Sequence, residues 1–99
     1  MDATRLKAIP LFARLSDEEL RRVAPLAAER ELPAGALLAN GGEELLLIDE
    51  GTAEVWCDER HVADLGAGDY FATGPTVVAS SPVRVVALDI EAARALALA

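Results

Sequence analysis

The side chains with chemistry to offer are few and scattered. His61 is the only histidine and Cys57 the only cysteine among 99 residues. A metal enzyme needs several histidines and a carboxylate converging on one ion; one imidazole at the start of a strand reads as a surface or hairpin residue. Ser80-Ser81 has no histidine placed to activate it, and Ser-Ser-Pro at 80–82 is ordinary turn chemistry. The acidic pairs Glu43-Glu44 and Asp58-Glu59 read as solvated loop charge in an acidic protein. Cys57 reads as a small strand hydrophobe. Asp69 is a candidate general base. No catalytic residue, metal or cofactor is expected.

Composition narrows the function classes further. Seventeen acidic side chains stand against nine basic ones, for a net charge of −8. Nucleic-acid binding needs clustered Lys and Arg and is not expected. An anionic small ligand would need a local positive site against the overall field. No apolar run reaches the roughly 18 residues that span a bilayer. The start, Asp2-Ala3-Thr4-Arg5-Leu6, does not resemble a secretory signal. With one cysteine, no internal disulfide forms, and a cytoplasmic location without membrane association is expected. Chain length points to one domain over 1–99.

The elements that must position these groups follow from periodicity. Residues 2–9 carry Leu6 and Ile9 at helical spacing until Pro10. Ser16-Asp17-Glu18-Glu19 is a capping box, with Leu15 and Leu20 placed for a hydrophobic staple. Leu20, Val23, Ala24 and Ala27 share one face, and Pro25 predicts a kink or loosened last turn. From Arg30 onward the pattern shortens. Pro33-Ala34-Gly35 is a turn, Ala36-Leu37-Leu38-Ala39 a short strand, and Asn40-Gly41-Gly42 a second turn. Residues 44–49 form a buried strand, and Glu50-Gly51 leads into alternating Thr52-Ala53-Glu54-Val55-Trp56, which reads as a hairpin. Asp58-Glu59-Arg60 is another turn, followed by alternating His61-Val62-Ala63-Asp64-Leu65. Two further strands flank Ser80-Ser81-Pro82, and Asp89 caps a last helix from Glu91. The chain divides into a helical lead-in (1–28), a run of strands (30–88) and a C-terminal helix (89–99). The fold class is mainly β with flanking helices, a small β-sandwich or barrel for which a double-sheet jelly roll is one natural closure.

Several segments are similar to the cyclic-nucleotide-binding domain family. Residues 6–20 resemble its helical lead-in, Leu32-Pro33-Ala34-Gly35 its first strand turn, and Leu46-Leu47-Ile48-Asp49-Glu50-Gly51-Thr52-Ala53-Glu54-Val55 the hairpin divided by a glycine. Gly66-Ala67-Gly68-Asp69-Tyr70-Phe71 resembles the turn that precedes the ligand cassette, where the family's aspartate is structural. The resemblance implies an eight-stranded β-roll. In the family, a glutamate just after this turn holds the ribose and an arginine some ten residues later pairs with the cyclic phosphate. Here the glutamate position, counted forward from Phe71, and the arginine position, counted back from Thr76-Val77, both fall on Thr73, so the cassette is degenerate and its helix missing. The 40–43 turn is also short relative to the family.

Three readings follow. The leading one is a non-catalytic binding or regulatory module that does not bind cAMP or cGMP and acts through a protein partner or self-association. No helix-turn-helix follows the last helix, so DNA binding by that route is not expected. A second is a small-molecule sensor using the barrel cavity near the 71–76 loop; a site there would comprise Phe71, Ala72, Thr73, Gly74 and Thr76, with backbone amides at 72–74 forming an anion nest. A pocket lined by Leu46, Ile48, Phe71 and Thr73 would favour it, and a filled cavity would count against it. A cupin-type enzyme is the remote third. Trp56 is either a core anchor or an interface contact.

Overall fold

The computed structural model describes residues 1–40, 43–72 and 76–95, with the backbone alone for Ala39 and Asn40. Three helices, α1 (Ala3–Lys7), α2 (Asp17–Val23) and α3 (Ile90–Ala95), flank eight strands: β1 (Ala28–Leu32), β2 (Leu37–Asn40), β3 (Glu44–Glu50), β4 (Ala53–Cys57), β5 (Arg60–Leu65), β6 (Tyr70–Phe71), β7 (Thr76–Ala79) and β8 (Val83–Asp89). The strands make two antiparallel sheets, β1-β8-β3-β6 and β2-β7-β4-β5. This is the expected β-roll.

The runs Leu45-Leu46-Leu47-Ile48 and Val85-Val86-Ala87-Leu88 explain the layering. A strand covered on both faces reads as continuously apolar, and all eight of these residues are buried. Leu45, Leu47, Val86 and Leu88 turn toward the helices and pack with Leu6, Phe12, Leu20 and Val23. Ile48 and Val85 turn the other way and pack with Ala53, Val55, Val77 and Ala79 of the second sheet. The molecule therefore has two apolar layers divided by one sheet.

The helical lead-in is built from local signals. Ser16 Oγ accepts from the Glu19 N–H at 3.2 Å, and Glu19 Oε1 accepts from the Ser16 N–H at 3.0 Å, closing the capping box. Leu15 and Leu20 are both buried in the helix-side layer, as a staple requires. Pro25 loosens the helix into a 3-10 turn, Ala24–Leu26, because it cannot continue the amide ladder. Pro10 likewise opens a 3-10 turn, Pro10–Phe12, at the first helical position. Asp89 Oδ1 accepts from the N–H groups of Glu91 and Ala92, capping α3.

Two expectations are corrected. The 44–56 segment is not a hairpin: β3 pairs with β8 and β6, whereas β4 pairs with β7 and β5 in the other sheet. Gly51 carries the chain between sheets with φ of +98°, and a Cβ there would collide with the Pro82 carbonyl and come within 2.8 Å of Val83 Cγ1. This crossing is stitched to the β7–β8 crossing, since Thr52 N–H donates to Ser81 Oγ and Ser80 Oγ to Thr52 Oγ1. The second correction concerns β5. Its alternation is broken by a bulge opposite Val55/Trp56, so that Trp56 pairs with His61, Val55 with Ala63 and Glu54 with Asp64. Strand β1 carries no periodic signal at all; its first four residues are exposed, and it forms only by adding to the edge at β8. The turn glycines Gly41 and Gly42, and residues 96–99 of the expected terminal helix, lie outside the described residues.

Candidate functional site

The 66–76 region joins the two sheets. Asp69 is a turn tie, its Oδ2 accepting the Gly66 N–H at 2.8 Å while its own N–H donates to the Gly66 carbonyl at 3.0 Å. Gly68 takes φ of +93° there. Strand β6 then pairs Phe71 with Leu46 and Tyr70 with Leu47. Phe71 is half-buried against the layer between the sheets, Ala72 packs toward the helix-side layer, and Tyr70 is exposed. Thr76 opens β7 in register with Trp56 and Asn40. Of the five predicted ligand residues, Phe71, Ala72 and Thr76 are thus placed on either side of one connection between the sheets. Thr73 and Gly74 lie outside the described residues.

The electrostatics of this region are set by what flanks it. Residues 62–83 contain no Lys, Arg or His, and two carboxylates, Asp64 and Asp69. Arg84 follows, but it belongs to a separate cluster. It pairs with Glu29 at 3.2 Å, Glu31 at 3.4 Å and Glu50 at 3.2 Å. Arg5 joins the same cluster through Glu29 and Asp49, and the hydrogen bond to Glu29 raises the guanidinium pKa above its ordinary value. Arg84 alternates with buried Val83 and Val85, whereas Val85 faces the inter-sheet layer. Its side chain therefore leaves the opposite face of the sheet from Phe71. Arg60 lies on β5 opposite Cys57 of β4, two strands from β7 and so about 10 Å across the sheet.

The space Leu46 and Ile48 would line is taken up by packing, since they are 3% and 0% exposed. A groove of about 350 Å³ lies between Ile9 and Pro10 of the lead-in and Leu47, Ile48, Asp49 and Gly68; neither Leu46 nor Phe71 lines it.

Sequence reasoning missed one constellation. On the outer face of the second sheet, His61 Nε2 lies 2.8 Å from Asp64 Oδ1 and 3.8 Å from Glu54 Oε2. Its ring stacks at 34° on Trp56, with centroids 5.4 Å apart. The hydrogen bond to Asp64 raises the imidazole pKa above 6.5. Trp56 is thus not a core anchor; it is half-buried against a histidine on the outer face. The only advance signal was the short Asp58-Glu59 turn, whose two residues both take positive φ and fold β5 back onto β4.

No helix among the described residues is long and apolar enough to cross a membrane. No family model matches the chain. Over 70 residues it is 33% identical to uncharacterised NTE family proteins of Mycobacterium tuberculosis and Mycobacterium bovis, a match covering 67% of this chain. The chain spans 12% of the length of those relatives. Among solved structures, a candidate cyclic nucleotide-binding protein from Geobacter metallireducens superposes with a TM-score of 0.84 at 25% identity, over 97% of this chain and 81% of that one. The regulatory subunit of a cAMP-independent protein kinase A from Trypanosoma brucei superposes with a TM-score of 0.77 at 24% identity, over 97% of this chain and 45% of that one. A triple variant of that subunit, with one threonine changed to arginine, is described as bound to cAMP and superposes with a TM-score of 0.72 at 26% identity, over 89% of this chain and 42% of that one.

Proposed function

We propose that this chain, a β-roll of the cyclic-nucleotide-binding type, is a non-catalytic regulatory module that does not bind cAMP or cGMP and works through protein contacts in the cytoplasm. The observation that carries the reading is the run of residues 62–83 without a cationic side chain. A cyclic phosphate taken out of water needs charge-assisted hydrogen bonds, most strongly from an arginine fork. Arg84 is already engaged by carboxylates on the far face of its sheet. The trypanosomal subunit supports the same logic from the other side, since it is called cAMP-independent and its arginine-bearing variant is the form described with cAMP. Packing at Leu46 and Ile48 counts against the sensor reading. Leu37, Val62 and Tyr70, all exposed, supply apolar area for a protein partner or a second copy.

Thermal unfolding with millimolar cAMP or cGMP tests this. A ligand at 100 times its dissociation constant adds about 2.7 kcal/mol, and each kcal/mol moves the midpoint of a domain this size by roughly 4–8 °C. We expect no shift for the native chain and a shift for Thr73→Arg. A shift of more than about 10 °C in the native chain overturns the reading; its loss in Arg60→Ala would then identify the cation responsible.

A further inference from the structure

We propose that Glu54, His61 and Asp64 form a binding site for a borderline divalent transition cation, Zn²⁺ being the representative ion. One atom from each, His61 Nε2 and a carboxylate oxygen from each acid, lies within 4.8 Å of the others. All three side chains leave the same outer sheet face, on neighbouring rungs of the β4–β5 hairpin: Glu54 faces Asp64, and Trp56 faces His61.

The bulge creates this grouping. In strict alternation from His61, Asp64 would point to the opposite face. One extra residue at Val62 shifts Ala63 opposite inward-facing Val55 and returns Asp64 to the face of Glu54 and His61. Bulges commonly re-aim a side chain in this way.

The arrangement carries a cost that the imidazole offsets only in part. Like charges directly opposite on a sheet are destabilising, and Glu54 and Asp64 are such a pair. Among the described residues, the cationic group that pairs with both is His61, when protonated. A divalent ion would neutralise both carboxylates and take the imidazole lone pair.

The geometry is within reach of coordination. Zn²⁺ bonds of about 2.0–2.1 Å in a tetrahedron place ligand atoms roughly 3.3 Å apart. Nε2 is 2.8 Å from Asp64 and 3.8 Å from Glu54, so each must move by about half an ångström. The side chains are partly or largely exposed and free to make that adjustment. Ala63 O, 3.1 Å from Nε2, and water are the remaining donors. An imidazole with two carboxylates suits zinc and its transition-metal neighbours rather than Mg²⁺, which prefers all-oxygen sites.

The test is calorimetric titration of ZnCl₂ into tag-free, chelator-treated protein in a Cys57→Ser background, which removes the exposed thiol as a competing ligand. Trp56, the only tryptophan, reports in parallel because it stacks on His61. We expect one equivalent bound with a dissociation constant below about 100 μM and a change in Trp56 emission that saturates with the heat. His61→Ala should abolish binding. Asp64→Asn and Glu54→Gln should each weaken it by at least the roughly 10–100-fold lost when a ligand's own hydrogen-bond partner is removed. Mg²⁺ should give no signal. Absence of saturable Zn²⁺ binding, binding that survives His61→Ala with an unchanged melting curve, or equal affinity for Mg²⁺ overturns the proposal.

Discussion

Single residues at the start of α2 do more than their exposure suggests. The Ser16 N–H bond to Glu19, followed by the Ser16 hydroxyl contact, holds the Glu19 carboxyl below its ordinary 4.5. A carboxylate with a depressed folded pKa adds stability above its unfolded value, and that contribution disappears as pH falls through the folded one. Glu19→Gln should therefore be less stable than the native chain at neutral pH, with the gap closing as the pH drops below 4.5 in a denaturant series. Ser16→Ala removes the reciprocal bond and should cost about 1 kcal/mol at neutral pH. This cap was fully legible in the sequence, because a capping box is a four-residue signal needing no tertiary context. The His61 constellation was not, because its grouping depends on one bulge residue that composition and alternation cannot reveal.

At the scale of elements, the legible and illegible parts separate by range. Strands β3 and β8 announce themselves by four-residue apolar runs, and the turns by Gly, Pro, Asn and Asp. Strand β1 has no such pattern because it takes its order from an edge offered by β8. The Glu50-Gly51 corner resembles a hairpin in sequence because a glycine between two apolar runs signals a reversal, not which sheet the chain enters next. Its identity as a crossing rests on Pro82 and Val83, thirty residues away in sequence. Gly51→Ala should accordingly cost more than about 1 kcal/mol, from the positive φ together with the collision. A Gly35→Ala variant shares the positive φ, with nothing within 4 Å of its new methyl, and should be the milder of the two. Chemical denaturation of both variants side by side separates strain from collision.

The whole molecule has an order of protection written into its layers. Strands β3 and β8 lie side by side in the interior of their sheet, are covered by helices on one face and by the second sheet on the other, and have bonded neighbours along both edges. Their central amides, Leu46, Leu47, Val85 and Val86, have no local route to solvent. Hydrogen exchange there should proceed only through global opening, at a free energy equal to that from denaturant melting, whereas amides of β1 and β5 at the sheet margins should exchange by smaller openings. Exchange at the β3 amides well below the global value would show that the helical layer detaches as its own unit. The double-sided wall thus makes those few amides a clock for the entire chain: a partner or ion that binds only the folded state, wherever it docks, would slow them all by the same factor.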